Sequence, residues 1–254
     1  SNLKMATGLK INSVSDDASG FSISNKIRNE INGLEKAAQN ALDGVSLIQT
    51  ADGVLDEVTS MLQRMRELCV KSSNDTLTDE DKEIMQSEIN SLSEEIDSIS
   101  DKAQFNKTKL FGKKFTDDKS GFQYGKIKLQ IGAYKNDTVE FFLPEVSSKT
   151  LGTDKISVQN TKDAQNGITS LDNSLQQISD IRGNIGALQN RLESTHSNIK
   201  TTNVNLSEAL SRIVDTDMAK EMSLLTQNSV ISQAGISVLA QANQKPQQVL
   251  QLLG

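Results

Sequence analysis

The fold is decided by residues 168–213, which read ITSLDNSLQQISDIRGNIGALQNRLESTHSNIKTTNVNLSEALSRI. Apolar and small residues recur there at alternating steps of three and four, unbroken from Ile181 to Ile213. A mean step of 3.5 residues is the period at which one helix packs along another. At ~1.5 Å per residue such a helix would be roughly 70 Å long. The stretch therefore predicts a long C-terminal helix over about 163–214, too long to be enclosed in a globule.

A similar pattern runs through the first part of the chain and predicts a helix over about 17–70. Its members are Ile27, Ile31, Leu34, Ala38, Ala41, Val45 and Ile48 and, after one shift of phase at Ala51, Leu55, Val58, Leu62, Met65 and Cys69. Asp16 and Asp17 favour a helix start by capping and by their charge. Gly33, Gly44 and Gly53 each cost up to about 1 kcal/mol against alanine. We therefore expect other backbones to pass close by at these three glycines.

A second N-terminal helix is predicted over about 79–104. Residues 72–78 read SSNDTLT, a turn signal, and Thr78 is placed to cap the helix with Asp81 at its third position. Met85, Ile89, Leu92, Ile96, Ile99 and Ala103 continue the alternating spacing. The short loop favours an antiparallel pairing with the first helix.

Between the helices, residues of about 107–160 change to a period of two. Ile127, Leu129 and Ile131 alternate with polar residues, as do Val139, Phe141 and Leu143, and Asn136-Asp137 lies between the runs. This pattern predicts a β-hairpin. Most of the aromatic residues lie in this region, so we expect a compact apolar patch built from them: Phe111, Phe115, Phe122, Tyr124, Tyr134, Phe141 and Phe142. The fold class is therefore mainly α, an elongated rod of long antiparallel coiled-coil-like helices with a small β-hairpin region.

The chain from residue 215 to 254 is set apart by its lack of charge, which gives a rod domain over 1–214 and a terminal helix over 215–254. Lys245 is the one charged side chain from Met222 to the end. The apolar residues that we expect to make contacts are Val230, Ile231, Val238, Leu239, Val249, Leu250, Leu252 and Leu253. Solvated helices usually carry charge on their outer face. This composition predicts burial among many copies of the same chain; the alternative is a poorly soluble disordered tail.

Composition excludes several function classes. The net charge is −6 and lysine and arginine are dispersed, which argues against a nucleic-acid partner. No apolar run reaches the roughly 18–20 residues of a membrane span, so membrane insertion is not expected. Cys69 is the one cysteine and falls at an apolar position, which predicts a small buried hydrophobe.

Catalytic signals are also lacking, and no cofactor or metal site is predicted. His196 is the one histidine, between Thr195 and Ser197, and the default interpretation is a helix-surface residue. The sequence holds no phosphate-binding glycine loop, no H-E-x-x-H and no C-x-x-C. An enzyme is therefore the least expected class.

Several stretches, in order, resemble the terminal regions of bacterial flagellins. They are TGLKINS at 7–13, DDASG at 16–20, NALDGVSLIQTADG at 40–53, LQRMREL at 62–68, QFN at 104–106, DMAKEM at 217–222 and QANQ at 241–244. The resemblance implies an extracellular structural subunit of the flagellar filament, exported by the flagellar apparatus. It also implies four kinds of partner: other copies of the chain, an export chaperone, the filament cap and hook-associated proteins, and a host Toll-like receptor.

The resemblance further implies which residues contact partners and where this chain differs from other flagellins. Arg64, Leu68 and Glu88 match the positions that contact the flagellin-sensing receptor. The C-terminal apolar helix matches the segment that the export chaperone binds. Residues 107–160 leave room for the hairpin but not for the large outer domains of many flagellins. Only six residues precede TGLKINS, so we expect part of the family's N-terminal helix to be missing.

The sequence leaves two alternatives open. A hook–filament junction protein shares the terminal helices but less of the NALDG and LQRMREL text. A coiled-coil signalling module would carry charge through residues 222–254 and would have no β-hairpin.

Overall fold

The computed structural model describes residues 2–111 and 126–252. Its contacts divide the chain into two compact units, Ser1–Asn32 with Thr201–Gly254, and Gly33–Lys200. The division at residue 214 followed a change in composition, whereas these units follow contacts in space. We call them the terminal unit and the central unit.

Long helices dominate, as predicted for a mainly α chain. The six α-helices of the described residues are α1 Asn2–Thr7, α2 Ala18–Ser72, α3 Asp79–Lys102, α4 Ser148–Leu151, α5 Thr161–Val214 and α6 Met218–Leu252. A 3₁₀ turn follows α4 at Thr153–Lys155. The strands are β1 Gln104–Phe105, β2 Thr108–Lys109, β3 Lys126–Gln130 and β4 Thr138–Phe142.

The start of α3 has the capping arrangement that the sequence predicts. The Thr78 hydroxyl accepts a hydrogen bond from the backbone N–H of Asp81, whose carboxylate accepts one from the Thr78 backbone N–H. Arg64 of α2 pairs with Glu88 of α3, each about two turns from the connecting loop. The two helices are therefore antiparallel, as expected.

The central unit holds one continuous core that joins α2, α3, α5 and the hairpin. Its fully buried large side chains include Leu55, Leu62, Met65, Ile89, Ile96, Leu171, Ile178 and Leu192. These are residues of the predicted 3.5-residue stripes, so the periodicity identifies the buried faces correctly. Aliphatic side chains that recur along three helices suffice for a long, narrow core.

The β-hairpin is confirmed, with β3 antiparallel to β4 and Leu129 opposite Val139. It lies against α2, where the amide of Asn40 donates to the carbonyl of Gln130 at 3.0 Å. A Cβ on Gly33 would lie 2.9 Å from the Cβ of Ala133, and one on Gly44 would collide with Leu129. The expected approach of another backbone is therefore present at Gly33, where the added Cβ would lie 3.4 Å from the Ala133 Cα, whereas at Gly44 the close atoms belong to side chains.

At Gly53 the expected approach was wrong: no described atom comes within 4 Å of a Cβ built there. Two of the described aromatic residues also do not join the expected apolar patch. Phe111 is fully buried, but Phe142 and Tyr134 are 53% and 61% exposed. Phe115, Phe122 and Tyr124 lie outside the described residues. Aromatic residues that are close in sequence need not point to the same side, because successive side chains of a strand point to opposite faces.

Candidate assembly and recognition surfaces

Helix α6 begins with a side-chain cap at Asp217. One carboxylate oxygen accepts hydrogen bonds from the backbone N–H groups of Ala219 and Lys220, at 3.0 and 3.2 Å. The cap satisfies two of the donors that a helix start leaves free, and it places negative charge at the positive end of the helix dipole. The sequence DMAKEM therefore fixes where α6 starts.

The apolar side chains of α6 face solvent. Val230 and Ile231 are each 59% exposed, Val238 is 63% exposed and Leu239 is 64% exposed. Val249, Leu250 and Leu252 lie in α6, but their side chains are outside the described part of the chain, as is Leu253 altogether. The four described candidates form an apolar surface that the described part of the chain leaves exposed. We call these four residues the α6 apolar surface.

The polar residues around this surface are almost all uncharged. Lys220 and Glu221 lie in its first turn, and beyond them α6 carries Lys245 alone as a charged side chain. Uncharged groups cost much less to desolvate than ions, so such a helix can be enclosed on all sides by other protein. No helix among the described residues combines the length and apolar character needed to cross a bilayer.

The receptor-contact candidates divide into a surface pair and a buried residue. The guanidinium of Arg64 donates to Glu88 at 2.8 Å and to Glu67 at 3.2 Å, and about half of its side chain is exposed. Hydrogen bonding to Glu88, followed by that to Glu67, raises the pKa of Arg64. Leu68 is 4% exposed and belongs to the core, so this third candidate is buried and is not exposed beside the other two.

Cys69 has the environment of a core residue. It is fully buried, and burial raises the pKa of its thiol to about 11. A thiolate is therefore scarce at neutral pH. Among the described residues no group of three or more histidine, cysteine or acidic side chains is placed to hold a metal ion.

Two short connections in the terminal unit come together in a way that sequence reasoning missed. The segment between α1 and α2 pairs with the segment between α5 and α6 through an antiparallel bridge of Leu9 with Asp215. Lys10 donates its backbone N–H to Val214 at 2.7 Å, and Thr216 donates to Gly8 at 2.9 Å. The two segments are about 200 residues apart in sequence, so no local pattern could have predicted their pairing.

Two family descriptions match the ends of the chain. The bacterial flagellin N-terminal helical region matches residues 1–116, and the bacterial flagellin C-terminal helical region matches residues 168–253. Both matches include the stretches on which the resemblance was based.

Relatives match over nearly the whole chain. The flagellin of Halalkalibacterium halodurans is 45% identical over 98% of this chain and 89% of its own length. The flagellin of Bacillus subtilis is 41% identical over 98% and 90%. A flagellar filament core protein of Treponema maltophilum is 38% identical over the same shares.

Solved structures of flagellar proteins are also similar to this chain. The Bacillus cereus flagellin superposes with a TM-score of 0.55 at 28% identity, covering 68% of this chain and 94% of that one. A flagellar hook-associated protein of Vibrio parahaemolyticus shares the fold, with a TM-score of 0.64 at 17% identity over 79% of this chain and all of that one. The chain belongs to the bacterial flagellins, a family of structural subunits that assemble into the flagellar filament and not a family of enzymes.

Proposed function

We propose that this filament subunit polymerises through the α6 apolar surface, which copies of the chain bury against one another. The observation that carries the proposal is the exposure of Val230, Ile231, Val238 and Leu239, all more than half exposed on a nearly uncharged helix. Full burial of one such side chain contributes roughly 1.5–3 kcal/mol. Exposed apolar surface of this kind marks an interaction site.

Seeded filament growth tests this assignment. Ile231 and Val238 are seven residues apart and share a face of α6, so Ile231→Asp with Val238→Asp places two charges at the proposed contact. We expect no elongation of seeds, because each charge would be buried without a partner. Leu42→Asp is the control, since Leu42 is also exposed, at 49%, but lies on α2. Normal growth of the double variant would overturn the proposal, as would equal loss in the control.

Before assembly the same helix needs protection from solvent. We propose that an export chaperone binds α6, with Val249, Leu250 and Leu252, and the next residue Leu253, while the flagellar apparatus exports the chain to the cell exterior. An amphipathic helix in an apolar groove is a common recognition mode. The filament cap and the hook-associated proteins are further proposed partners at the ends of the polymer. The double variant should lose chaperone binding as well, measured by co-purification.

A second proposed activity is recognition by the host Toll-like receptor for flagellin. The supporting observation is the exposed Arg64–Glu88 pair, in which each group holds the other in place at 2.8 Å. Arginine offers a planar fork of donors to carboxylates, so a receptor acid could replace or join Glu88. Leu68 is buried in the core and is not part of the proposed contact surface.

Binding to the purified receptor ectodomain tests this surface. We expect Arg64→Ala to lower affinity at least about fivefold, since truncating an arginine anchor costs more than about 1 kcal/mol. Arg66→Ala is the matched control, because Arg66 is also on α2 and also ion-paired, to Asp172 at 2.6 Å. Unchanged affinity of the Arg64 variant, or an equal loss in both, would refute the assignment.

The family match favours the filament subunit over both alternatives. The similarity to a hook-associated protein is one of fold alone, at 17% identity. A signalling module of paired helices is disfavoured by the hairpin of β3 and β4 and by the scarcity of charge in α6.

A further inference from the structure

One face of α3 carries polar side chains that hold the connection between β4 and α5. We call residues 146–158 of this connection the strap; it contains α4 and the 3₁₀ turn, both of which pack against α3. Asp97 accepts hydrogen bonds from the backbone N–H and the hydroxyl of Ser148, at 2.7 and 2.6 Å. Earlier in α3, Gln86 accepts a hydrogen bond from the backbone N–H of Val158 at 2.8 Å. The strap therefore runs antiparallel to α3.

Gln86 binds the strap with both ends of its side-chain amide. Its oxygen accepts from Val158, and its nitrogen donates to the carbonyl of Ile156 at 3.0 Å and to the side chain of Asn90 at 2.9 Å. We call the two bonds to the strap backbone the Gln86 clasp. Ile156 and Val158 are 6% and 0% exposed, so leaving their backbone groups without these partners would be costly. The clasp therefore fixes the first half of α3 to the strap.

The strap is also anchored to the other two helices of the core. The hydroxyl of Ser174 in α5 donates to the carbonyl of Leu151 at 2.6 Å, and the hydroxyl of Ser72 in α2 donates to the carbonyl of Val158 at 2.6 Å. Val146 and Leu151 are 1% and 6% exposed and belong to the core. Because α2 and α5 hold the strap in place, it is a fixed support for α3.

The Gln86 clasp lies two residues from Glu88, the acid that pairs with Arg64. Two residues turn a helix by about 200°, so Gln86 and Glu88 lie on nearly opposite sides of α3. Glu88 accepts from the Nε atom of Arg64 at 2.8 Å, while the clasp holds the same turn of α3 from the side of the strap. The position of the Glu88 carboxylate therefore depends on a support that Glu88 itself does not contact.

We propose that the strap positions the receptor-contact pair, with Gln86 as the positioning residue that holds Glu88 in place for Arg64. The inference rests on the proposed recognition by the Toll-like receptor. A pair that is already held in its binding arrangement loses less conformational freedom on binding, so the clasp raises affinity without contacting the receptor. Because the pair exists in the free chain, its positioning can be measured separately from receptor binding.

Solvent exchange of the Arg64 Nε–H proton, followed by nuclear magnetic resonance, measures the pair in the full chain, because that proton is donated to Glu88. We expect Gln86→Ala to speed this exchange about fivefold, since loss of the clasp loosens the turn that carries Glu88. Gln86→Glu keeps an acceptor for Val158 but cannot donate to Ile156, so it should change the exchange in the same direction.

The matched control is Ser72→Ala. It removes a hydrogen bond to Val158, the strap residue that Gln86 also binds, but it removes it from α2 and leaves α3 held. We expect no change in the Arg64 exchange. The Ile131 amide, which donates to the carbonyl of Asp137 at 2.8 Å, should keep its exchange rate in every variant and so report that the chain is folded.

Affinity for the purified receptor ectodomain tests the consequence for recognition. We expect Gln86→Ala to lower affinity about threefold, less than Arg64→Ala does, because the pair loses its preorganisation but keeps its groups. Ser72→Ala should leave affinity unchanged.

The results separate the clasp from the receptor proposal. Unchanged Arg64 exchange in Gln86→Ala would overturn the positioning role, whatever the affinity, and so would equal effects of Gln86→Ala and Ser72→Ala. Faster exchange with unchanged affinity would overturn the role of the clasp in recognition. Unchanged affinity of Arg64→Ala would count against the proposed receptor surface instead, and the Arg64 exchange alone would then decide whether Gln86 positions the pair.

Discussion

Helix α5 in the central unit and helix α6 both carry recurrent apolar residues, yet only α5 buries them within the chain. Leu171, Ile178 and Leu192 of α5 are at most 1% exposed, whereas Val238 and Leu239 of α6 are 63% and 64% exposed. The difference is visible in the residues around the stripe. The outer face of α5 is charged, while α6 is almost free of charge. An apolar stripe on a helix whose opposite face is charged predicts an intramolecular core. An apolar stripe on a helix whose opposite face is uncharged predicts contact with other chains.

The largest expected contrast in stability comes from truncating one leucine on each helix. Leu192→Ala should lower the free energy of unfolding by about 2–5 kcal/mol, because it removes packed methyl groups and leaves a cavity. Leu239→Ala should change that free energy by no more than about 0.5 kcal/mol, since its side chain is exposed. Chemical denaturation followed by circular dichroism measures both.

Assembly should show the reverse order for these two variants. Under conditions where both are folded, Leu239→Ala should slow seeded elongation more than Leu192→Ala does. An equal loss of stability in the two variants would break the distinction between an intramolecular and an intermolecular stripe. Leu42→Ala, on an exposed position of α2, serves as the control for truncating a surface leucine.

Glycines in α2 give the next largest contrast. An added methyl group on Gly44 would meet Leu129 and lie 3.1 Å from the Leu192 side chain, so Gly44→Ala should destabilise by about 1–3 kcal/mol. Gly53 has open space, so Gly53→Ala should stabilise the monomer by about 0.5–1 kcal/mol through helix propensity. Thermal unfolding compares them, and a shift of the same sign in both would contradict the difference in packing.

The ion pairs between α2 and α5 are expected to contribute less. Arg182 donates to Asp52 at 2.8 Å and to Asp56 at 2.7 Å, with about a third of its side chain exposed. Hydrogen bonding to Asp52 is the main cause that raises the pKa of Arg182. Partly exposed pairs contribute up to about 1 kcal/mol, so Arg182→Ala should cost about that much.

A double-mutant cycle with Asp52→Ala isolates this pair. A coupling energy near zero would mean that the ion pair between Arg182 and Asp52 contributes nothing to stability. Raising the salt concentration should shrink the coupling, because exposed charges are screened within about 10 Å at 0.1 M salt.

Periodicity and capping rules predicted most of this fold. The 3.5-residue stripes identified the faces of α2, α3 and α5, and the period of two identified β3 and β4, because both signals arise from residues close in sequence. Capping chemistry placed the start of α3 at Thr78 for the same reason. The pairing of residues 8–10 with 214–216 was missed, since it is made by backbone groups that any residue could supply.

The candidate surfaces were predictable to different degrees. The lack of charge in α6 predicted burial among copies of the chain, which stays a prediction, and in the single chain the apolar side chains described above are exposed. The burial of Leu68 was harder to predict from the sequence. Leu68 belongs to the core that α2, α3 and α5 share, and spacing along α2 alone does not determine how much of its side chain the packed elements cover.

The smallest expected effect is a local pH dependence at the start of α3. Asp81 accepts hydrogen bonds from the Thr78 hydroxyl at 2.7 Å and from its backbone N–H at 3.2 Å, and these bonds lower the pKa of Asp81 from the ordinary value of 3.8. The unfolded chain therefore takes up the proton first, so the cap stabilises the helix above that value and is lost as pH falls through the lowered pKa. Asp81→Asn should flatten this acid step, measured as exchange of the Lys82 amide, which donates to the Thr78 carbonyl. Since both Thr78 and Asp81 are exposed, water replaces the lost bonds and the effect should stay within the first turn, unlike that of Leu192→Ala. An identical acid step in the wild type and in Asp81→Asn would assign the pH dependence to another group.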